Sequence, residues 1–120
     1  MQNHAPLMEQ KCLPQTIAIT PAEAAEFQVH VPSWEIDGPA DHLQIVRQFA
    51  FKNYHETLAF INAIAYVIHA EDHHPELVVT YSKCSVRFDT HTVNSGKGGL
   101  SMNDFICAAK IDAIYQQSFA

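Results

Sequence analysis

Three imidazoles and three carboxylates fall within eight residues, His69-Ala70-Glu71-Asp72-His73-His74-Pro75-Glu76. Such groups must stay solvated or find partners when a chain packs, so a fold alone has little use for so many together. An unperturbed imidazole titrates near ~6.5, which lets clustered histidines give and take protons at neutral pH. The stretch reads first as a proton-transfer site. A metal centre is the rival chemistry: His69 and His73 stand four apart on one helical face, and His74, Glu76 or His91 would complete a shell. No His-Glu-x-x-His arrangement accompanies them.

The flanking elements decide where these side chains can point. Pro75 has no amide donor and biases His74 away from helical geometry, so the preceding helix should end near Asp72 or His73. That helix opens at Asn53, with Glu56 in the reciprocal capping position. Leu58, Ile61, Ile64, Ala65 and Ile68, with Phe60 and Val67 alongside, give it a wide apolar stripe expected to be buried. After the corner, Leu77 to Tyr81 and Cys84 to Phe88 form two β-prone runs around Ser82-Lys83, which predicts a hairpin. Its pairing should return His91 to the side of His73.

Upstream, Thr20-Pro21-Ala22-Glu23 has the form of a capping box and should start a short helix reaching about Val29. Trp34 to Asp37 reads as a brief strand before the turn at Gly38-Pro39. From His42 to Phe51, Leu43, Ile45, Arg47, Phe49 and Phe51 share one strand face, and Gln44, Gln48 and Lys52 the other. Val93 to Gly99 holds three of the four glycines and reads as a flexible connection. Ser101 with Asp104 is a further capping box, and that duty alone accounts for Asp104; a last helix runs through Phe105, Ile106, Ala109, Ile111 and Ile114.

The order is a short helix and then β-β-α-β-β-α, an α+β two-layer sandwich with an antiparallel sheet covered by two long helices. Residues 1–19 mix polar residues with Pro6 and Pro14 and read as a flexible arm, and 20–120 as a single domain. One sheet face or edge strand would be free for a second subunit.

Composition narrows the partners. At 120 residues, 48% hydrophobic and 17% charged, the chain has the make-up of an ordinary globular protein. A net charge of −6 without a local basic patch argues against nucleic acid. No apolar run approaches the ~20 residues that span a bilayer. No secretory leader is legible, and Cys12, Cys84 and Cys107 are odd in number and widely spaced, so a reducing, cytoplasmic setting is expected. His4, His30, His42 and His55 stand alone and carry no role.

Taken together, His69-x-x-x-His73-His74-Pro75, then Tyr81, Thr90-His91 and Gly99-Leu100-Ser101-x-x-Asp104, resemble the pterin-4a-carbinolamine dehydratases in order and spacing. Trp34 before the Gly38-Pro39 turn and Phe49-x-Phe51-Lys52-x-Tyr54 look like the family's first hairpin and the opening of its first long helix. The likeness covers roughly Pro21 to Tyr115. His69 stands where the family more often has an acidic residue, and Asn94 to Gly98 looks like an insertion.

The resemblance implies dehydration of 4a-hydroxytetrahydrobiopterin or a related pterin to the quinonoid dihydropterin. This recycles the cofactor of an aromatic amino acid hydroxylase. It implies a catalytic set of His73, His74 and His91, in which His73 and His91 move protons and His74 mainly binds and orients the pterin. Asp72 and Thr90 would contact the pterin edge and Trp34 would supply an apolar wall, with core or interface packing an equal reading of that indole. The resemblance further implies a homodimer or homotetramer that needs no metal or organic cofactor. Because some animal members of the family serve as dimerisation cofactors of a homeodomain transcription factor, a non-catalytic binding module is the second reading.

Overall fold

The computed structural model describes residues 6–120. Helix α1 spans Pro21–Gln28, strands β1 and β2 span Glu35–Asp37 and Gln44–Ala50, and helix α2 spans Tyr54–Glu71. Strands β3 (Glu76–Val79) and β4 (Lys83–Phe88) follow, then helix α3 (Met102–Ser118). This is the expected α+β order, with two added 3₁₀ turns at Leu7–Glu9 and Asn94–Gly96.

All three capping residues act where the sequence puts them. Thr20 Oγ1 accepts from the Glu23 amide while Glu23 accepts from the Thr20 amide, and Ser101 and Asp104 form the same reciprocal pair on α3. At α2 the Asn53 side chain accepts from the Glu56 amide at 2.9 Å, but the Glu56 carboxylate reaches one residue further back, to the Lys52 amide at 3.2 Å. The turn between β1 and β2 needs Gly38. Its φ is +92°, and a Cβ there would lie 2.6 Å from the His42 carbonyl oxygen.

The sheet is antiparallel with strand order β1-β2-β4-β3. Ile45 and Phe49 of β2 and Cys84, Val86 and Phe88 of β4 are buried on one face, and α2 and α3 cover it. Trp34, Phe49 and Phe88 meet at ring separations of 6.0 and 5.9 Å, and Phe60 of α2 closes on Phe49 at 4.7 Å. Arg47 lies on this inner face and is held there by Asp112 at 2.7 Å and by the Phe49 ring 4.3 Å away.

Two expectations need correction. Only part of the α2 stripe is buried: Phe60, Ile64 and the polar Thr57 are covered and Ile61 and Ile68 pack beside them, whereas Leu58 and Ala65 are exposed. The sheet meets α2 along a narrower band than the apolar count suggests. The arm is also not loose over residues 6–19; residues 1–5 lie outside the described part of the chain. Leu7 is buried against the core, the Ile19 amide bonds the Leu100 carbonyl at 2.9 Å, and Thr92 Oγ1 donates to the Gln15 carbonyl at 2.6 Å.

Candidate active site

The turn that ends α2 sets the direction of the histidine pair. The His73 amide bonds the Ile68 carbonyl and the Asp72 amide bonds the His69 carbonyl, the paired pattern of a Schellman C-cap. Asp72 occupies its left-handed position, with φ 51° and ψ 45°, where glycine is the usual choice. The helix therefore stops one turn of backbone before Pro75 and by its own hydrogen bonds. Pairing of Glu76 with Arg87 then lays the corner beside the residues that follow β4.

His73 points inward from that turn. Its Nε2 lies 2.6 Å from Asp104 Oδ1, and its ring stacks on Phe88 at 5.6 Å with the planes 4° apart. Asp104 is wholly buried, and its other oxygen accepts from the Ser101 amide and from Thr90 Oγ1, each at 2.9 Å. Burial pushes the Asp104 carboxyl above its usual range, against the His73, Ser101 and Thr90 contacts that favour its charge. A carboxylate with three donors fixes the ring it holds, and Nε2 is committed.

His73, His74, Thr90 and His91 line one cleft of about 430 Å³ together with Asp72, and Cys12, Leu13, Pro14 and Gln15 form its opposing strap. A volume of this size suits a small heterocycle. The strap is clasped by Asn103, whose Oδ1 accepts from the Leu13 amide at 3.1 Å while its Nδ2 donates to the Leu13 carbonyl at 2.8 Å. It is also held by Glu71, which accepts from the Cys12 amide at 2.8 Å and pairs with Lys11 and Lys110. Burial raises the Glu71 carboxyl, but the Cys12 amide and the two lysines outweigh it and hold the group below its ordinary range.

The expected site residues separate into two environments. The His73 side chain is 11% exposed, whereas those of His74 and Asp72 are 67% and 92% exposed, with a separation of 3.9 Å between His74 Nε2 and Asp72 Oδ1. His91 is exposed on the same rim. Thr90 borders the cleft, but its hydroxyl is taken up by Ser101 and Asp104. Trp34 is not a wall of this cleft: it is fully buried among Phe49 and Phe88, with Nε1 donating to Asp112 at 2.8 Å. Its indole was needed by the core. Tyr81 is also elsewhere, 68% exposed at the β3–β4 turn and stacked on Tyr54.

His42 is not isolated, since its Nε2 lies 2.7 Å from Asp89 Oδ2. His69 is exposed on the last turn of α2, and among the described residues no three His, Cys, Asp or Glu side chains are grouped to hold a metal ion. Sequence reasoning missed the strap and Asn103 as parts of the site, and gave Glu71, although it stands in the opening cluster, no role in holding that strap. Their partners are far along the chain, so no local spacing marks them. Asp104 was legible only as a cap, because the capping box already explained it.

Known proteins resemble the chain over most of its length. The family model described as pterin 4 alpha carbinolamine dehydratase matches residues 18–114. A candidate pterin-4-alpha-carbinolamine dehydratase of Bdellovibrio bacteriovorus is 48% identical over 120 residues, covering 100% of this chain and 97% of the relative. Another from Stenotrophomonas maltophilia is 45% identical over 120 residues, 98% of each chain. Among solved structures, a transcriptional coactivator/pterin dehydratase from Brucella melitensis superposes with a TM-score of 0.70 at 28% identity, over 81% of this chain and 97% of that one. A pterin dehydratase-like protein identified as a RuBisCO assembly factor in the alpha-carboxysome gives 0.57 at 25% identity, over 68% and 88%. With nearly the whole span from α1 to α3 matched, the chain belongs to the pterin 4 alpha carbinolamine dehydratase family.

Proposed function

We propose that the protein dehydrates 4a-hydroxytetrahydrobiopterin or a close analogue to the quinonoid dihydropterin, by histidine general acid–base catalysis. One observation carries this reading: His73, His74 and His91 line a single cleft, and a buried carboxylate holds His73. Loss of water from C4a requires a proton delivered to the departing hydroxyl and a proton removed from a ring nitrogen. His73 takes the ring proton, because Asp104 beside it stabilises the imidazolium that forms. His91, on the open rim, protonates the hydroxyl. His74 and Asp72 hold the pterin edge from the solvent side, and Thr90 acts by keeping Asp104 in place. Positioned imidazoles of this kind contribute about 10² to 10⁴-fold in rate.

In this role the protein would regenerate pterin cofactor for an aromatic amino acid hydroxylase, in the cytoplasm. The same reading takes it to be a homo-oligomer. In support, Leu58 and Tyr66 are exposed on α2, Val78 and Val79 are exposed on the edge strand β3, and an uncovered edge invites pairing. The single-domain reading is supported by one core cluster that runs from Leu7 to Ile111.

The test is stopped-flow turnover of the 4a-carbinolamine by purified protein, compared with His73→Ala and His91→Ala. Losses of about 10² to 10⁴-fold in kcat are expected for each. Undiminished turnover in either variant removes that residue from the mechanism. Wild-type protein with no turnover would favour the binding-module reading that the coactivator and assembly-factor neighbours suggest.

A further inference from the structure

We propose that Cys12 and Cys107 form an oxidisable dithiol whose disulfide fastens the strap of the cleft to α3. The two sulfurs lie 3.6 Å apart across 95 positions of sequence. A disulfide needs about 2 Å, so an approach of roughly 1.5 Å completes the bond. Cys12 is half-buried on the cleft wall, and its thiol also faces the Asn103 carbonyl at 3.7 Å. Cys107 is fully buried behind it on α3. Among the described residues the third thiol, Cys84, is buried on the inner face of β4 and stands as an internal control.

Access decides the order of events. An oxidant entering the cleft meets Cys12 first. With a small disulfide such as glutathione disulfide, the Cys12 thiolate attacks one sulfur and expels one glutathione thiol. Cys107 then loses its proton and attacks the Cys12 sulfur, expelling the second. Two protons and two electrons pass from the protein pair to the glutathione disulfide. The Cys107 thiol is pushed up by its contact with Cys12 and by burial, and Glu71 and Asp104 add to this, so the second step is the slow one. The pair therefore rests as thiols and closes under sustained oxidation. Closure adds to the clasp at Leu13 and the Cys12–Glu71 hydrogen bond a covalent hold on residues 12–15, one wall of the site.

The experiment treats full-length protein with glutathione disulfide, blocks remaining thiols with N-ethylmaleimide after denaturation, and reads intact mass and a peptide map. The expected product has lost two hydrogens, carries one blocked cysteine at Cys84, and yields a linked Cys12–Cys107 peptide. Because the bond closes a loop across nearly the whole chain, Tm should rise by more than about 5 °C and fall back on reduction. Cys12→Ser, which alters only the strap, should abolish both the link and the Tm shift. Cys107→Ala should do the same provided its circular dichroism is unchanged, while Cys84→Ser should keep both. Three blocked cysteines after oxidation, a link through Cys84 or between chains, or a glutathione adduct that stays on Cys12 would overturn the proposal.

Discussion

His73 and His74 are consecutive in the chain, yet the first is sealed against Phe88 and Asp104 while the second stands in solvent. One left-handed residue, Asp72, accounts for the difference: it turns the backbone so that the next side chain goes in and the following one goes out. The inner histidine has a fixed orientation and a committed ring nitrogen. The outer one is free to adapt. In the proposed function, chemistry that tolerates no misalignment falls to the first, and recognition that must accommodate a ligand's edge falls to the second.

The contrast can be tested, beginning with the largest effect. His73→Ala should lower kcat by about 10² to 10⁴-fold with little change in KM, whereas His74→Ala should raise KM roughly tenfold and leave kcat within a few-fold. Equal kcat losses in both would mean that burial does not divide their labour. Asp104→Asn keeps the shape and the Ser101 and Thr90 partners but removes the charge that supports His73. It should cost about 10²-fold in kcat and move the acid limb of the pH–rate profile, which reports the general base. A drop in kcat with an unmoved profile would reduce Asp104 to a helix cap.

The strap supplies smaller effects. The Cys12 amide and the two lysines hold the Glu71 carboxyl below its ordinary range, so its contribution to stability is present at and above that range and is lost as pH falls through the lower folded-state value. Glu71→Gln should therefore lower Tm at pH 7 by the equivalent of about 1–2 kcal/mol and flatten the acid limb of a Tm-versus-pH curve. The smallest change is expected from Asp72→Gly. It relieves a left-handed residue at the expense of a freer unfolded chain, and Tm should move by less than the equivalent of about 1 kcal/mol. Asp72→Val, which cannot adopt the turn without strain, should lower Tm by the equivalent of about 1–2 kcal/mol.

Much of the fold was legible because local rules governed it. The Thr20, Asn53 and Ser101 caps, the alternation along Ile45, Arg47 and Phe49, and the β3–β4 hairpin all depend on residues within a few positions of one another. That His73 and His91 line one cleft was legible for a related reason, since hairpin pairing brings segments distant along the chain to one side of the sheet. What escaped prediction was contact between distant segments. Trp34 reads equally as core or as ligand wall, and Phe49, Phe88 and Asp112, which decide for the core, are not implied by the residues beside it. The strap was opaque for the same reason: Leu13 answers to Asn103, and Cys12 to Glu71 and Cys107. Polar residues with two prolines look unstructured until the surface that receives them is known.

The cleft draws its lining from residues 12–15, 71–74, 90–92 and 103, so no excised peptide can reproduce it. Its integrity is a property of the whole assembled chain. Ligand capture by this hollow should consequently vanish in step with cooperative melting, making a simple binding signal a gauge of how much of the population is intact.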